Sequence, residues 1–268
     1  MRKKLRFVVV IALGMSGWLA GAGVQVRASS ITYTTAAGSD KDGPVAATIE
    51  FTAVNGGLEI TATNTLVTTA AHPLKRGESI SALSFTLSGL SNATAFTKLT
   101  GSTVDSSTFT ANAAYPGAAT VTPFSDTGTT LIDHWSFAAT GASVHLATAG
   151  GTATGNPIYM ILPSTGYSGP SNSLDDGHFD PYILGPGEFF LSVAGVTSGT
   201  TLTAANFSGV TVGFGTGPDT TPFITTTTPD IVTPEPASAT LLSSSFFVLG
   251  GLGLVRRRRG TVESTPTC

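Results

Sequence analysis

The central part of this sequence contains no cysteine and few positively charged residues. The single cysteine is Cys268, and residues 29–233 hold three lysines and one arginine against fourteen carboxylates, a net charge of −10. A region without thiols forms no disulfide, so apolar burial and strand pairing must stabilise it. A surface this acidic repels phosphate backbones, which argues against nucleic acid as a partner.

A convincing helical period is also missing from the central region, where apolar residues recur instead at strand spacing. Residues 47–65 alternate twice around Asn55, Gly56 and Gly57, which predicts a β-hairpin. Other short apolar runs, bounded by glycine or proline, are centred on Phe85, Trp135, Val144, Tyr159, Leu191 and Val212. The pattern predicts an all-β fold over residues 29–217, a single antiparallel β-sandwich of the jelly-roll or immunoglobulin-like kind.

The amino-terminal end differs from the centre in both charge and hydropathy. Four cations within residues 2–6 precede an uncharged, mostly apolar run over residues 7–26. This order predicts a secretory signal peptide over residues 1–28, cut after Ala28 by signal peptidase. The alternative is an amino-terminal anchor that is not cut.

The carboxyl-terminal end has a second apolar run. Residues 237–255 contain nineteen residues without a charge, a length of about 28 Å as a helix, which is close to the thickness of a bilayer core. The four residues after it are Arg256, Arg257, Arg258 and Arg259. We expect a transmembrane helix with the arginines and residues 261–268 in the cytoplasm, because arginine is costly inside a bilayer. A buried core helix is the alternative.

Pro234, Glu235 and Pro236 stand immediately before that run. With the apolar span and the arginines, residues 234–260 resemble the PEP-CTERM sorting signal of Gram-negative bacteria. Residues 180–217, with their FGTG ending, are also similar to the late segment of many exported proteins of this kind. The resemblance implies processing near the motif by exosortase, a membrane-embedded cysteine protease, and an association with exopolysaccharide and biofilm. The tail after Arg259 is longer than is usual for such signals.

Two further segments bear on sorting. Residues 162–166 spell LPSTG, a sortase pattern, but some seventy residues separate them from the apolar span. A strand end followed by a turn at Pro163 and Gly166 is the favoured interpretation.

Residues 218–233 are rich in threonine and proline and predict a spacer, with an edge strand around Phe223 and Ile224 as the alternative.

Catalytic and metal-binding patterns are weak. Asp133 and His134 are adjacent, but no nucleophile motif accompanies them. Asp175, Asp176 and Asp180 could offer oxygen ligands to calcium, although a turn explains them better. The histidines have no zinc-hydrolase spacing; they are His72, His134, His145 and His178. We therefore predict no catalytic residue, no metal site and no cofactor.

Aromatic side chains are the remaining candidates for ligand contact, because an aromatic face suits the C–H side of a sugar ring. Trp135 alternates with Phe137 and is expected in the core. Tyr167 and Tyr182 fall in predicted loops and are better candidates. Tyr115 and Tyr159 complete the set.

The sequence as a whole predicts an exported, non-catalytic protein of the cell surface or extracellular matrix of a Gram-negative bacterium. It would be held briefly in the membrane by its carboxyl-terminal helix and then cut. The expected partners are the secretion machinery, signal peptidase and exosortase, with exopolysaccharide as a further candidate. The alternative is a secreted carbohydrate-binding protein or a hydrolase acting on polysaccharide.

Overall fold

Alternating polar and apolar residues make most of the described chain β-strand. The computed structural model describes residues 29–35, 38–39, 43–110, 113–117, 119–127, 134–148, 156–168, 174, 176–216, 224–225 and 230–232, all within one unit, Arg27–Thr233. The strands are β1 (Ser30–Thr34), β2 (Gly38–Ser39), β3 (Pro44–Val45), β4 (Ala47–Val54), β5 (Gly57–Asn64), β6 (Ile80–Leu87), β7 (Ala93–Val104), β8 (Ala114–Tyr115), β9 (Thr122–Thr127), β10 (Trp135–Thr140), β11 (Ser143–Thr148), β12 (Ile161–Leu162), β13 (Gly166–Tyr167), β14 (Tyr182–Leu184), β15 (Gly187–Val193), β16 (Phe207–Phe214), β17 (Ile224–Thr225) and β18 (Asp230–Val232). Within these ranges, helical structure is limited to the 3-10 turns Arg76–Glu78, Ser106–Thr108, Gly177–Phe179 and Ala204–Asn206.

The β4–β5 hairpin has the predicted register. Phe51 pairs with Ile60 and Ala53 pairs with Leu58, and all four side chains are fully buried. Gly56 occupies the turn with φ of +92°, a conformation that a side chain would strain. The hairpin prediction is therefore confirmed.

Fourteen strands join in one large mixed sheet. Its main path runs β10-β11-β6-β12-β14-β7-β15-β5-β4-β1-β18, with β16 beside β6, β17 beside β16 and β9 beside β7. The pair β12–β14 is parallel, with Ile161 opposite Ile183. The prediction of a purely antiparallel sheet is wrong at this pair, because the long connection over residues 163–181 lets the chain return in the same direction.

Two parts of this sheet face each other across one apolar cluster, which we call the main core. The Phe51 ring of β4 lies 4.9 Å from Phe85 of β6 and 4.2 Å from Phe207 of β16, between ring centroids. Trp135 of β10 lies 4.8 Å from Phe189 of β15. These contacts give the described part a sandwich-like arrangement.

A second, smaller cluster, which we call the loop core, forms beneath the long connections. It contains Leu74 from the connection between β5 and β6, Tyr115 from β8, and Met160 from the loop before β12. Phe179, from the turn before β14, and Tyr182, the first residue of β14, also belong to it. Irregular segments thus supply much of this core.

Two short strands lie inside the segment predicted as a spacer, residues 218–233. β17 pairs with β16, and β18 pairs with β1. β17 coincides with the edge strand around Phe223 and Ile224 that was the alternative to a spacer. Both strands add to neighbours that offer free backbone groups.

The LPSTG segment forms a strand end and a turn. β12 ends at Leu162, which is fully buried, and β13 begins at Gly166 after a bend at Ser164 and Thr165. The first residue of the pattern is thus part of the loop core.

Candidate functional site: an aromatic–acid patch

Four side chains from three separate segments meet beside β9 and form what we call the aromatic–acid patch. Phe124 and Asp126 lie two residues apart on β9, so both side chains point to the same side of the strand. His134 directly precedes β10, and Tyr159 lies in the loop before β12. All four residues keep part of their surface accessible to solvent. The patch is therefore a place where residues distant in sequence reach the surface together.

The three rings of the patch are in contact. The Tyr159 ring lies 4.2 Å from the His134 ring and 5.0 Å from the Phe124 ring, between centroids. Phe124 and His134 are 5.9 Å apart and meet edge to face. These distances are typical of attractive aromatic pairs, so the rings form one continuous surface.

Polar groups border this aromatic surface. Asp126 Oδ2 lies 3.7 Å from His134 Nε2, and the two side chains are 22% and 24% exposed. Burial raises the pKa of the Tyr159 hydroxyl, and the negative charges of Asp126 and Asp105 raise it further. The phenol thus stays protonated and able to donate a hydrogen bond beside a carboxylate that can accept one.

Tyr159 is held in an unusual backbone conformation. Its φ is +60°, and within the described part of the chain it is the single non-glycine residue with a positive φ. For a bulky residue this costs about 1–3 kcal/mol. Two hydrogen bonds hold the residue in place: its N–H donates to Pro181 O at 2.7 Å, and its carbonyl accepts from Trp135 Nε1 at 3.0 Å.

The other aromatic candidates differ in how deeply they are buried. Trp135 is fully buried, as its alternation with Phe137 predicted. Tyr182 is also fully buried, in β14, so its prediction as an exposed loop residue is wrong. Burial raises its pKa to about 12. Tyr115 is buried as well, while Tyr167 in β13 is half-buried and lies apart from the patch.

The proposed calcium loop uses its described carboxylates internally. Asp180 accepts hydrogen bonds from Ser106 N and Ser106 Oγ, each at 2.7 Å. Asp176 Oδ2 lies 3.6 Å from Arg76 Nη2. Asp175 lies outside the described residues. These contacts engage the oxygens that calcium would need, which favours the turn interpretation.

The four histidines lie in different places. Their nearest polar partners are Glu78 for His72, Asp126 for His134, Ser84 for His145, and Asp176 for the backbone N–H of His178. In the part of the chain that the structure describes, no three histidine, cysteine or acidic side chains are grouped to hold a metal. Asp133, the neighbour weighed as a partner for His134, falls outside that part.

Ser84 and His145 form a hydrogen-bonded pair on the outward face of the sheet. Ser84 Oγ lies 2.6 Å from His145 Nδ1, and the two residues are opposite each other in the β6–β11 ladder. They line a shallow groove of about 280 Å³ together with Thr86, Thr140 and Ser143. A serine nucleophile also needs a third group to orient its histidine. Among the described residues, the hydrogen-bond partner of His145 is Ser84, and the pair is explained as a cross-strand hydrogen bond.

Glu78 is a buried acid that no pattern in the sequence predicts. Its side chain is completely buried, with Oε1 3.2 Å from His72 Nε2 and Oε2 accepting from Lys75 N at 2.8 Å. A side chain at Gly43 would collide with Oε1. Burial raises the pKa of Glu78, while the hydrogen bond from Lys75 and the charge of His72 oppose this. No apolar period surrounds it, and only the tertiary structure shows its burial.

Three glutamates occupy the polar positions of neighbouring strands in the sheet. Glu50 of β4 and Glu188 of β15 both pair with Thr61 of β5, from opposite sides, and Glu59 lies two residues from Thr61. Glu188 Oε2 accepts from Thr100 Oγ1 at 2.8 Å. A glycosidase needs two carboxylates about 5–9.5 Å apart on either side of the bond that it cuts. These three acids lie across one face of the sheet, where Glu188 is hydrogen-bonded to Thr100.

The residues that carry the sorting predictions, 1–28 and 234–268, lie outside the described residues. This covers Ala28, the Pro-Glu-Pro motif and the four arginines. None of the helices in the described ranges is long and apolar enough to cross a membrane. Comparison with protein-family models, with curated proteins and with solved structures found no match for this chain.

Proposed function

We propose that this chain is an exported, non-catalytic protein of the bacterial cell surface or extracellular matrix. Its body is a single β-sandwich of the jelly-roll or immunoglobulin-like kind. A sorting signal over residues 234–260 holds it in the inner membrane until exosortase cuts near Glu235. The body is then left on the cell surface or in the medium.

The observation that carries this proposal is the position of Ser29. This residue would become the first residue after cleavage behind Ala28, and it is 7% exposed. Its Oγ accepts from Leu202 N and its carbonyl accepts from Ala53 N, both at 3.0 Å. Removal of residues 1–28 would thus leave these contacts whole, whereas a cut a few residues later would remove part of β1. Ser29 is thus part of the packed body, and a mature chain that starts at this residue would keep these contacts, which supports cleavage behind Ala28.

The distribution of charge supports a non-catalytic role. Asp126 and Asp180 have partners within the protein, and the glutamates of β4, β5 and β15 are spread across a sheet face. General acid–base catalysis would need such groups to converge on one substrate. The hydrolase alternative therefore has no described constellation in its favour. The carbohydrate-binding alternative has one, the aromatic–acid patch.

Processing is tested in the native host with an affinity tag placed in the body. We compare wild type, Glu235→Ala and a strain that lacks exosortase. We expect a shortened wild-type body outside the cell, with uncut protein retained in membranes in the other two cases. Sequencing of the amino terminus should begin at Ser29.

Glu263→Ala is the matched control, because it removes the one acid of the predicted cytoplasmic tail and leaves the motif unchanged. It should be processed like wild type. If wild type, Glu235→Ala and the exosortase-deficient strain all contain the same full-length membrane species, the sorting proposal is wrong.

A further inference from the structure

In the aromatic–acid patch, the backbone of Tyr159 is more restrained than that of an ordinary surface tyrosine. Tyr159 is fixed in the left-handed region by the Pro181 carbonyl on one side and the Trp135 indole on the other. Trp135 is itself fully buried against Phe189. The rigid interior therefore sets the position of the Tyr159 ring, and strain held at a surface aromatic residue is typical of functional sites.

The chemistry of the patch selects a class of ligand. Phe124 and Tyr159 are in ring contact and keep part of their apolar surface accessible to solvent, which suits the C–H face of a pyranose ring. Asp126 can accept hydrogen bonds from sugar hydroxyls, and His134 can donate or accept one. A small number of polar groups around aromatic surface is the usual composition of a binding site for a small polar molecule.

Charge restricts that class further. Residues 29–233 carry a net charge of −10, and Asp126 lies within the patch. Asp105 is close enough that its charge raises the pKa of the Tyr159 hydroxyl. An acidic sugar would be repelled by these carboxylates, whereas an uncharged or amine-bearing sugar would not.

We propose that the aromatic–acid patch formed by Phe124, Asp126, His134 and Tyr159 binds a pyranose unit that bears no negative charge. The sugar ring lies on the aromatic surface, and Asp126 accepts hydrogen bonds from its hydroxyl or amino groups. The site deepens the proposed matrix role, and it rests on that role for the setting in which such a sugar is met. It makes this protein a component that attaches to a neutral or amine-bearing polysaccharide.

The test uses the tagged chain purified from its native host, in whichever processed form the cells contain. Binding to three immobilised probes is measured: a neutral glucose oligomer, a glucosamine oligomer and a uronic acid oligomer. We expect binding to the glucose oligomer, the glucosamine oligomer or both, and no binding to the uronic acid oligomer.

Two variants locate the site on the protein. Tyr159→Gly removes the ring and places at φ +60° the residue that tolerates it best, so the fold should be kept. Asp126→Asn keeps the shape of the side chain and removes its charge. We expect roughly tenfold weaker binding for Tyr159→Gly, the loss of about one good aromatic contact, and a smaller loss for Asp126→Asn.

Tyr167→Ala is the matched control, because Tyr167 is a half-buried tyrosine on β13, which pairs with β8 and not with a strand that carries the patch. It should bind like wild type, and thermal melts of all variants should show that each is folded. The proposal is overturned if no probe binds, if the acidic probe alone binds, or if Tyr159→Gly and Asp126→Asn both bind like wild type. These outcomes are separate from those of the sorting test, since binding can fail in a protein that is correctly exported and cut.

Discussion

The main core and the loop core are stabilised in different ways. In the main core, apolar side chains from long strands pack ring against ring, with Phe51 within 4.2–5.8 Å of Phe85, Phe207 and Tyr33. The loop core instead lies beside a completely buried carboxylate, Glu78. A sheet satisfies its backbone groups through its own ladder, whereas irregular segments need side chains to do so.

Asn64 shows how side chains perform this task. It is 3% exposed, and its Nδ2 donates to Glu78 O at 2.9 Å and to Ile161 O at 3.2 Å. Its Oδ1 accepts from Leu66 N at 3.1 Å. One amide thus ties the end of β5, the connection to β6 and β12 together. The loop core therefore depends on specific hydrogen bonds, whereas the main core depends on buried apolar area.

The largest expected effect is in the main core. Phe51→Ala should lower the free energy of unfolding by about 3–5 kcal/mol, because it removes a fully buried ring and leaves a cavity. Phe190→Ala on β15 is the matched control, since its side chain is half-buried on the opposite face. Urea unfolding measures both. Equal losses would mean that the two faces of the sheet do not differ as described.

A smaller effect is expected where the loop core uses hydrogen bonds. Asp180→Ala should cost about 1–3 kcal/mol, because buried Ser106 loses the acceptors of both its N–H and its hydroxyl. Asp176→Ala, at a side chain 37% exposed, should change stability by less than about 0.5 kcal/mol. The same urea titration compares them. A larger loss for Asp176→Ala would reverse the assignment of these two carboxylates.

Glu78 should give the loop core a pH dependence. Because burial raises its pKa, its contribution to stability is fully present below its pKa in the unfolded chain and is lost as pH rises through its folded pKa. The titratable groups that face it are His72 and Lys75, and the buried phenol of Tyr115 lies near enough for Glu78 to raise its pKa. Glu78→Gln should therefore gain stability relative to wild type as pH rises through the folded pKa of Glu78. Melting temperatures across acid to neutral pH measure this, and a difference that stays constant with pH would contradict it.

The smallest effect is expected from calcium. Since Asp180 and Asp176 already have protein partners, thermal melts with calcium and with chelator should agree within a few degrees. A shift of many degrees that Asp176→Ala abolishes would show that the loop binds the ion.

The strands of the main core could be predicted because their signal is local. Phe51, Phe85, Leu191 and Val212 each sit in an alternating run, and each is buried as that alternation requires. The same reasoning failed for Tyr182, because a three-residue strand between a proline and a glycine has the sequence pattern of a loop. Glu78 had no sequence signal, since burial of an acid depends on which segments cover it.

The candidate site was less predictable than the fold. Tyr159 was recognised as an aromatic residue that could contact a sugar, but nothing in the sequence joins it to Phe124 or Asp126. The contact arises because β9 pairs with β7 in the sheet, and because a hydrogen bond to the Pro181 carbonyl holds the loop before β12 in place. Such convergence is a property of strand order, which residue patterns along one chain do not encode.

The β class, the absence of disulfides from the central region and the buried faces of the long strands all follow from the amino-acid sequence. Each of these follows from composition or from a two-residue period, which are local properties. Three features are visible in the folded protein and not in the sequence: the parallel pair β12–β14, the burial of Glu78, and the aromatic–acid patch. These depend on contacts between segments far apart in the chain, whose free energy is gained only once the fold brings them together.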